Sequence, residues 1–135
     1  MDNSETVTTI YNYFKLYPQI YPGAYFRFLK ANIAKSLSDD TYIHKDNTYL
    51  AWKIDKYGEV LLDKLVTGTR GQGKGRAVLD EFLERFRGKT INLKVLKDNL
   101  VAQRIYLSRG FKYTNVDDEG NPIPFGNLLL MRHIS

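Results

Sequence analysis

The hydrophobic positions near the start of the chain recur at helical spacing and predict two helices. Residues 5–16 place Val7, Ile10 and Phe14 three and four positions apart, as one face of a helix requires. The β-branched run at residues 6–10 also permits a first strand, so both structures stay open there. Pro22 suits the first turn of a second helix at residues 23–37. One apolar face of that helix contains Phe26, Leu29, Ile33 and Leu37.

Three strand signals and a third helix follow. Residues 41–45 are a short signal. Residues 49–55 set one strand face, with Tyr49, Ala51 and Lys53, against another, with Leu50, Trp52 and Ile54. Asp46-Asn47 between the two signals suits a tight hairpin turn. The third strand, residues 59–66, ends just before the stretch Arg70–Gly75, which we call the glycine loop. Helical spacing returns immediately after it, at residues 77–86.

The remaining chain predicts one more crossover and a final pair of strands. Residues 91–96 read as a strand, and Asp98 suits the N-cap of a helix at residues 99–109. Residues 111–116 and 127–133 then read as two strands joined by a polar turn. Two helices, three strands, a helix, a strand, a helix and two strands are typical of a mixed α/β fold.

Composition narrows the class of protein. A length of 135 residues predicts one domain over residues 1–135. The hydrophobic content of 43% is typical of a globular protein. The net charge of +5 comes from 20 basic and 15 acidic residues that are interleaved, a pattern that indicates ordinary surface charge. A basic surface also suits nucleic acid, an anionic cofactor or an acidic protein.

Several kinds of site and location are disfavoured by the sequence. It has no cysteine, which excludes disulfides and cysteine nucleophiles, and its two histidines are far apart, so we expect no metal site. No apolar span is long enough to cross a membrane, and the polar, acidic N-terminus is unlike an export signal. We therefore expect a cytoplasmic protein without a membrane segment.

The glycine loop is the most informative feature of the chain. It lies between a predicted strand and a predicted helix, the arrangement by which a backbone grips a phosphate. Glycines let the chain approach an anion closely, and the first amides of the helix point at it with the helix dipole behind them. We therefore expect a phosphate-bearing ligand at this loop.

Other interpretations of the same loop are weaker. Gly68 and Gly73-Lys74 nearly complete a P-loop, but Gly75 stands where the magnesium-binding hydroxyl is needed. Gly71 and Gly73 begin a dinucleotide fingerprint, but its third glycine would fall at Arg76. A plain surface loop that needs glycine's backbone freedom is the remaining alternative.

A second motif distinguishes among these alternatives. Arg70, Gly73 and Gly75 match the signature Arg/Gln-x-x-Gly-x-Gly/Ala, and residues 99–111 match Asn-x-x-Ala-x-x-x-Tyr-x-x-x-Gly-Phe at every fixed position. Together, in this order and separated by one strand, the two motifs resemble those of the GNAT acetyltransferase superfamily. The resemblance implies a mixed, mostly antiparallel, twisted sheet of about six strands, flanked by about four helices. It also implies acetyl-CoA as the cofactor.

The resemblance assigns roles to named positions. Backbone amides of Gly71, Gln72, Gly73, Lys74, Gly75 and Arg76 would hold the pyrophosphate, with added charge from Arg70 and Lys74. The strand end at Leu65, Val66 and Thr67 would pair with the pantetheine arm. Asn99 would hydrogen-bond that arm, Ala102 would leave it room, and Tyr106 would protonate the leaving thiolate. An ordinary core position is the alternative for Tyr106.

Transfer to an amine also needs a group that removes a proton. Glu59 and Asp63 are our candidates, because four positions along a strand place them on one face with Leu61 and Leu65. An exposed charge or a salt bridge is the alternative for each. His44 is a further candidate, although a single histidine on a short strand is usually structural.

The function that this sequence predicts is N-acetyl transfer. An acetyl group would pass directly from acetyl-CoA to a primary amine of a small molecule, a peptide or an aminoacyl group. The aromatic segment at residues 17–25 could contact a cationic amine by cation–π attraction. A catalytically weak acetyl-CoA-binding module or a basic nucleic-acid-binding module is the alternative function, and a homodimer is a possible assembly.

Overall fold

The computed structural model describes residues 3–134. Its α-helices are α1 (Asn3–Phe14), α2 (Leu29–Asp39), α3 (Lys74–Arg85) and α4 (Leu100–Ser108), and a 3₁₀ turn covers Gly23–Phe26. Its strands are β1 (Tyr42–Lys45), β2 (Thr48–Ile54), β3 (Val60–Thr67), β4 (Thr90–Leu96), β5 (Lys112–Tyr113) and β6 (Leu128–Ile134). Helices and strands alternate along the second half of the chain, as the sequence pattern predicted.

The strands form a six-stranded mixed sheet in the order β1-β2-β3-β4-β6-β5. β1 and β2 are antiparallel, as are β4 with β6 and β5 with β6. β3 and β4 are parallel, which requires the crossover through α3. The mixed, mostly antiparallel sheet of six strands that the sequence predicted is therefore confirmed.

The hairpin between β1 and β2 forms at the predicted residues. Asp46 and Asn47 have φ values of 52° and 56°, and the flanking Lys45 and Thr48 are paired. Two successive residues with positive φ match the right-handed twist of the strands they join, and Asp and Asn tolerate that conformation well. β2 itself does not alternate as predicted, because Thr48–Trp52 is buried at five successive positions. Side chains on both faces of this part of the strand are therefore covered.

The first two predicted helices need different corrections. α1 is a helix, so the alternative of a first strand is wrong; Ile10 and Phe14 are fully buried along its stripe. The second predicted helix is interrupted: the 3₁₀ turn ends at Phe26 and α2 starts only at Leu29. Phe28 between them is 65% exposed, while Leu29 and Ile33 of the predicted apolar face are buried.

The chain divides into two compact units, each with its own buried side chains. Within residues 3–134, the first unit contains the residues up to Trp52 together with Lys64–Arg85. α1 packs against α2, and α3 contacts β1. Burying a large apolar side chain contributes about 1.5–3 kcal/mol, and this unit buries Phe14, Leu29, Ile33, Leu50, Leu79 and Phe82 at 2% exposure or less.

The second unit contains Lys53–Asp63 and the described chain from Phe86 onward. Its buried residues come from alternate positions of three strands, from α4 and from the following loop: Val60, Leu62, Ile91, Leu93, Val95, Leu129, Met131, Tyr106 and Phe111. The first strand of the last predicted pair is shorter than expected. β5 covers only Lys112–Tyr113, and Val116 then forms an isolated bridge to Pro122.

Candidate functional site

The glycine loop connects β3 to α3 in the first unit. α3 begins at Lys74, three residues before the predicted start at Ala77, so Lys74, Gly75 and Arg76 form its first turn. The first N–H groups of an α-helix have no partners within the helix. The loop therefore directs these backbone donors away from the helix, at the end where the helix dipole is positive.

The backbone of the loop leaves room for a ligand. Gly71 and Gly73 have φ values of 72° and 69°, in the left-handed region that favours glycine. A Cβ atom placed on Gly71, Gly73 or Gly75 would meet no heavy atom within 4 Å. Exposed amides beside open space suit a pyrophosphate, so the residues of the glycine loop fit the cofactor that the motif implies.

Arg70, at the start of the loop, has partners within the protein. Its Nη2 atom donates to the carbonyl oxygen of Leu16 at 2.5 Å, and its guanidinium lies 4.6 Å from the centre of the Tyr17 ring. These contacts attach the loop to the chain that follows α1. A contact between Arg70 and a phosphate stays a prediction.

The strand end before the loop is fixed by side chains that the sequence did not identify. The hydroxyl of Tyr17 donates to the carbonyl oxygen of Thr67 at 2.5 Å. The Thr67 hydroxyl donates to the carbonyl oxygen of Thr69 at 3.0 Å and accepts from the Thr69 N–H at 3.1 Å. These bonds close a turn between β3 and the loop. No local pattern reveals the Tyr17 contact, because the partners are 50 residues apart.

Gly68, next along the chain, permits a close approach. A Cβ atom there would lie 2.6 Å from Cδ1 of Tyr13, and the Gly68 N–H donates to the carbonyl oxygen of Asn47 at 2.6 Å. Only glycine fits beneath the Tyr13 ring without displacing it. Tyr13 in turn lies 3.0 Å, hydroxyl to Nε2, from His44.

β3 continues past its pairing with β4. The pairing with β4 joins Val60–Leu62 to Ile91–Leu93, and β3 then continues through Leu65 and Val66 to Thr67. A strand that continues past its pairing can accept a peptide-like ligand as an added strand. This is the stretch at which the pantetheine arm was predicted to pair.

The second motif lies on α4 in the second unit. Asn99 is the N-cap of α4, and its Oδ1 atom accepts from the N–H of Ala102 at 3.2 Å. The predicted cap, Asp98, is therefore wrong by one residue. The cap uses the carbonyl oxygen of the Asn99 side chain, so a hydrogen bond to a ligand's carbonyl would come from its Nδ2 atom.

Tyr106 is only 5% exposed and packs on Phe111, with ring centres 5.5 Å apart. The Phe111 N–H donates to the Tyr106 carbonyl oxygen at 3.1 Å, which ends α4 beside the buried ring. Ala102, one turn earlier, is half-buried. These contacts are those of a core aromatic residue. The role of the Tyr106 hydroxyl in catalysis stays a prediction.

The two candidate bases each lie beside a cation. Glu59, which directly precedes β3, accepts from Nδ2 of Asn92 at 2.8 Å and lies 3.8 Å from Nη2 of Arg132. Arg132 also donates from Nε to Oδ1 of Asn92 at 2.7 Å. Asp63 lies 4.0 Å from Nζ of Lys53. Glu59 and Asp63 are half-buried at alternate positions to the buried Val60 and Leu62, on the face that the sequence predicted.

The aromatic segment after α1 is packed against itself. Tyr21 lies 4.7 Å from Tyr25 and 5.1 Å from Phe14, ring centre to ring centre. Burial, together with the neighbouring Tyr17, raises the pKa of Tyr21 above its ordinary value. Arg70 lies over the Tyr17 ring. Tyr21 is therefore a core residue, Tyr17 and Tyr25 are half-buried, and the face of the Tyr17 ring already carries a cation of the protein.

Two properties of the described chain bear on its class. No helix in residues 3–134 combines the length and the apolar composition needed to pass through a bilayer. In the same range, no three or more His, Asp or Glu side chains are grouped so that they could hold a metal ion.

Comparison with known proteins gives structural matches only. No family model matches the chain, and no curated protein matches it in sequence. The PaiA N-acetyltransferase of Thermoplasma acidophilum, solved in complex with coenzyme A, is 18% identical with a TM-score of 0.69, over 99% of this chain and 93% of that one. The ribosomal-protein-S18-alanine N-acetyltransferase of Escherichia coli is 17% identical with a TM-score of 0.64, over 99% and 90%.

A third similar protein is named as a member of the GNAT family. A GNAT-family acetyltransferase of Bacillus cereus is 13% identical with a TM-score of 0.69, over 97% of this chain and 92% of that one. The matched proteins span nearly the whole chain, and they share the fold that the two sequence motifs predicted. The chain therefore has the fold of the GNAT N-acetyltransferases.

Proposed function

We propose that this protein is a single-domain N-acetyltransferase that uses acetyl-CoA and transfers the acetyl group directly to a primary amine. The observation that carries the proposal is the glycine loop. Gly71 and Gly73 have positive φ, the Cβ positions of Gly71, Gly73 and Gly75 are open, and α3 begins at Lys74, so its first N–H groups lack partners within the helix, in a chain with a GNAT fold. The coenzyme A in the structure of the Thermoplasma protein supports the same cofactor.

Each sequence motif has its own proposed part in binding acetyl-CoA. The amides of Gly71 to Arg76 would hold the pyrophosphate, and the end of β3 from Leu65 to Thr67 would pair with the pantetheine arm. On α4, Nδ2 of Asn99 would donate to that arm, and Ala102 would leave space for it. Acetyl-CoA supplies a thioester, whose acetyl group an amine can take once the amine is neutral.

The remaining chemistry is proton transfer by side chains of the protein. A carboxylate, Glu59 or Asp63, would accept the proton that the amine loses, directly or through a water molecule. The side chain of Glu59 is held by Asn92, which fixes one of its oxygen atoms. The Tyr106 hydroxyl would donate a proton to the departing thiolate. The chain has no cysteine, so an acetyl-cysteine intermediate is excluded.

Two substitutions at Gly75 test the cofactor site. Gly75 lies in the first turn of α3 with open space around its Cβ position and without a positive φ, so a side chain there causes no backbone strain. Gly75→Asp places a carboxylate where a phosphate is expected. We expect it to weaken acetyl-CoA binding at least about tenfold, because like charges repel in the site, while α3 tolerates an acidic residue in its first turn.

Gly75→Ala is the matched control. It adds one methyl group without charge, and the motif admits alanine at this position. We expect binding close to that of the unchanged protein and equal or higher thermal stability, because alanine favours helix over glycine by about 1 kcal/mol. Isothermal titration calorimetry with acetyl-CoA measures both variants. Equal affinity for Gly75→Asp and Gly75→Ala would refute the loop as the phosphate site.

The reaction itself needs a separate measurement. Amines, peptides with free N-termini and aminoacyl-RNA are incubated with acetyl-CoA, and the released thiol is quantified. Thiol release that depends on the acceptor supports the enzyme. Acetyl-CoA binding without release, at every acceptor, would instead favour a binding module on the same fold.

A further inference from the structure

The segment that joins α1 to α2, together with the start of α2, carries cations without counter-charges. Residues 6–38 contain Lys15, Arg27, Lys30 and Lys35 but no aspartate or glutamate. Lys35 pairs with Asp39 at 2.9 Å. Within residues 3–134, no carboxylate lies within ion-pair distance of Lys15, Arg27 or Lys30, and all three side chains are exposed. This surface therefore has an uncompensated positive charge.

Aromatic rings hold these cations in place. Nζ of Lys15 and Nζ of Lys30 lie 5.5 Å and 4.7 Å from the centre of the same ring, that of Tyr11. The guanidinium of Arg27 lies 5.3 Å from the Phe28 ring. Cation–π contacts of this kind contribute about 0.5–1 kcal/mol at exposed sites. We call Tyr11, Lys15, Arg27, Phe28 and Lys30 the cationic surface.

The cationic surface begins beside the glycine loop. Lys15 is followed directly by Leu16 and Tyr17, which bind Arg70 and Thr67 at the two ends of the turn that leads into the loop. A molecule resting on the cationic surface would therefore lie within the same unit as the proposed pyrophosphate site. That position suits the second substrate of a transfer reaction.

We propose that the cationic surface binds the acceptor substrate, and that the acceptor is a short peptide with acidic residues near its free N-terminal amine. This inference rests on the proposed acetyltransferase function. Positive charge at Lys15, Arg27 and Lys30 repels polyamines and lysine-rich tails and attracts carboxylates. The faces of Tyr11 and Phe28 already carry cations, so they do not serve as sites for a cationic amine.

The extent of the charge favours a peptide over RNA. Three uncompensated cations neutralise about three negative charges, whereas proteins that grip nucleic acid commonly contact 6–10 phosphates. Leu16 and Phe28 are 46% and 65% exposed beside these cations. An apolar and cationic surface of this kind matches the side chains of a mixed acidic and apolar peptide.

The test compares three peptides of equal length and identical N-terminal residue. One carries glutamates after that residue, one carries glutamines at the same positions, and one carries lysines. Fluorescence anisotropy measures binding, and thiol release with acetyl-CoA measures transfer. An exposed ion pair changes an equilibrium about 1.5- to 5-fold, so three pairs predict about a tenfold preference for the glutamate peptide over the glutamine peptide. Raising the salt concentration should reduce that preference.

Variants that remove positive charge test whether the preference for the glutamate peptide depends on the cationic surface. The combined change Lys15→Gln, Arg27→Gln and Lys30→Gln should abolish it while leaving the affinity for acetyl-CoA unchanged. Lys56→Gln is the matched control, because Lys56 makes the same kind of contact, 5.2 Å from the ring of the exposed Tyr57. We expect Lys56→Gln to keep the full preference for the glutamate peptide.

Some results would overturn the proposed acceptor, and another would refute the proposed function. Equal binding of the three peptides, a preference for lysine, or a preference that survives the triple change overturns the proposal. An RNA oligonucleotide that binds more tightly than the glutamate peptide, and loses binding with the triple change, assigns the surface to nucleic acid and also overturns it. If the unchanged protein fails to bind acetyl-CoA in calorimetry, the proposed function is refuted instead. The peptide result remains separate, because anisotropy measures peptide binding in the absence of the cofactor.

Discussion

Tyr106 is the residue at which packing and proposed chemistry are hardest to separate. Its ring is buried against Phe111, so removing the whole side chain would damage the core whatever its hydroxyl does. Only the oxygen atom distinguishes the two roles. A substitution that keeps the ring is therefore the informative one.

We expect Tyr106→Phe to lower turnover by about 10²- to 10⁴-fold, the usual contribution of a general acid, with little change in acetyl-CoA affinity. Steady-state kinetics and calorimetry on the same variant measure the two effects. Tyr113→Phe is the control, because the Tyr113 hydroxyl donates to Oε1 of the buried Gln103 at 2.8 Å. It should lower stability by about 1 kcal/mol and leave turnover unchanged. An unchanged rate for Tyr106→Phe would assign Tyr106 to the core alone.

His44 links stability to pH. Burial lowers the pKa of His44 below its ordinary value of 6.5. Between pH 6.5 and that lower pKa, the unfolded chain binds a proton that the folded chain does not, so this contribution to stability is present above pH 6.5 and is lost as pH falls through that window. Nε2 of His44 lies 3.0 Å from the Tyr13 hydroxyl, and in the imidazolium this nitrogen can only donate to that hydroxyl.

The measurement is urea unfolding at pH 7.5 and pH 5.5, with His44→Gln as the comparison. We expect the free energy of unfolding to fall more between these pH values in the unchanged protein than in His44→Gln, since glutamine does not titrate. Carboxylates titrate in both proteins, so their effect cancels in the comparison. Identical slopes would show that His44 does not sense pH.

The sequence could predict the conformation or role of some single residues but not the contacts of others. The glycines of the loop were predictable, because the motif demands backbone freedom where Gly71 and Gly73 have positive φ. The cap of α4 was placed at Asp98 instead of Asn99, because both residue types cap helices and stand next to each other. The partner of Arg70 was unpredictable, since Leu16 lies 54 residues away and contributes only its carbonyl oxygen.

At the scale of elements, periodicity predicted those with one buried face. α1 and α3 show this, because each has a clear buried stripe. Periodicity failed where burial was not one-sided: the first five residues of β2 are buried on both faces and do not alternate. It also failed at residues 23–37, where a 3₁₀ turn and α2 replace the single predicted helix and the apolar Phe28 between them is 65% exposed. Apolar character alone does not say whether a position is buried.

Contact between α1 and the β3–α3 connection is the element-level feature that bears on the proposed function. Tyr17, just after α1, holds the Thr67 carbonyl, and Thr67 ends the strand proposed to pair with the cofactor. Tyr17→Phe keeps the ring beneath Arg70 and removes only the hydroxyl. We expect the KM for acetyl-CoA to rise about 2- to 10-fold, the cost of one lost hydrogen bond, with kcat nearly unchanged.

The control for this change is Tyr57→Phe, which removes a hydroxyl from a ring that is 77% exposed. It should alter neither constant. A purely structural role for Tyr17 would lower the melting temperature and leave both kinetic constants intact. A fall in kcat at constant KM would place Tyr17 in the chemical step and contradict the positioning role.

For the whole molecule, the order of elements and the two motifs together predicted the fold class. The strand order was not readable from the pattern of residues, because β6 pairs between β4 and β5 through contacts that are distant in sequence. Burial repeats within each strand, but pairing depends on which strands the crossovers bring together. The resemblance to a known family predicted a mixed, mostly antiparallel sheet of about six strands, which the structure confirms, but it did not give the strand order.

Thermal unfolding tests the predicted single domain, and with it the cofactor. We expect one cooperative transition, with equal calorimetric and van't Hoff enthalpies, as small single domains usually show. Acetyl-CoA at about 100 times its dissociation constant should stabilise the folded chain by about 2.7 kcal/mol. For a chain of 135 residues that corresponds to a rise of roughly 5–15 °C in melting temperature.

Gly75→Asp should show the same single transition without the rise in melting temperature, and Gly75→Ala should keep that rise. Two resolved transitions would contradict a single domain. A rise in melting temperature that Gly75→Asp retains would place the ligand away from the glycine loop, because a bound ligand stabilises only the structure that binds it.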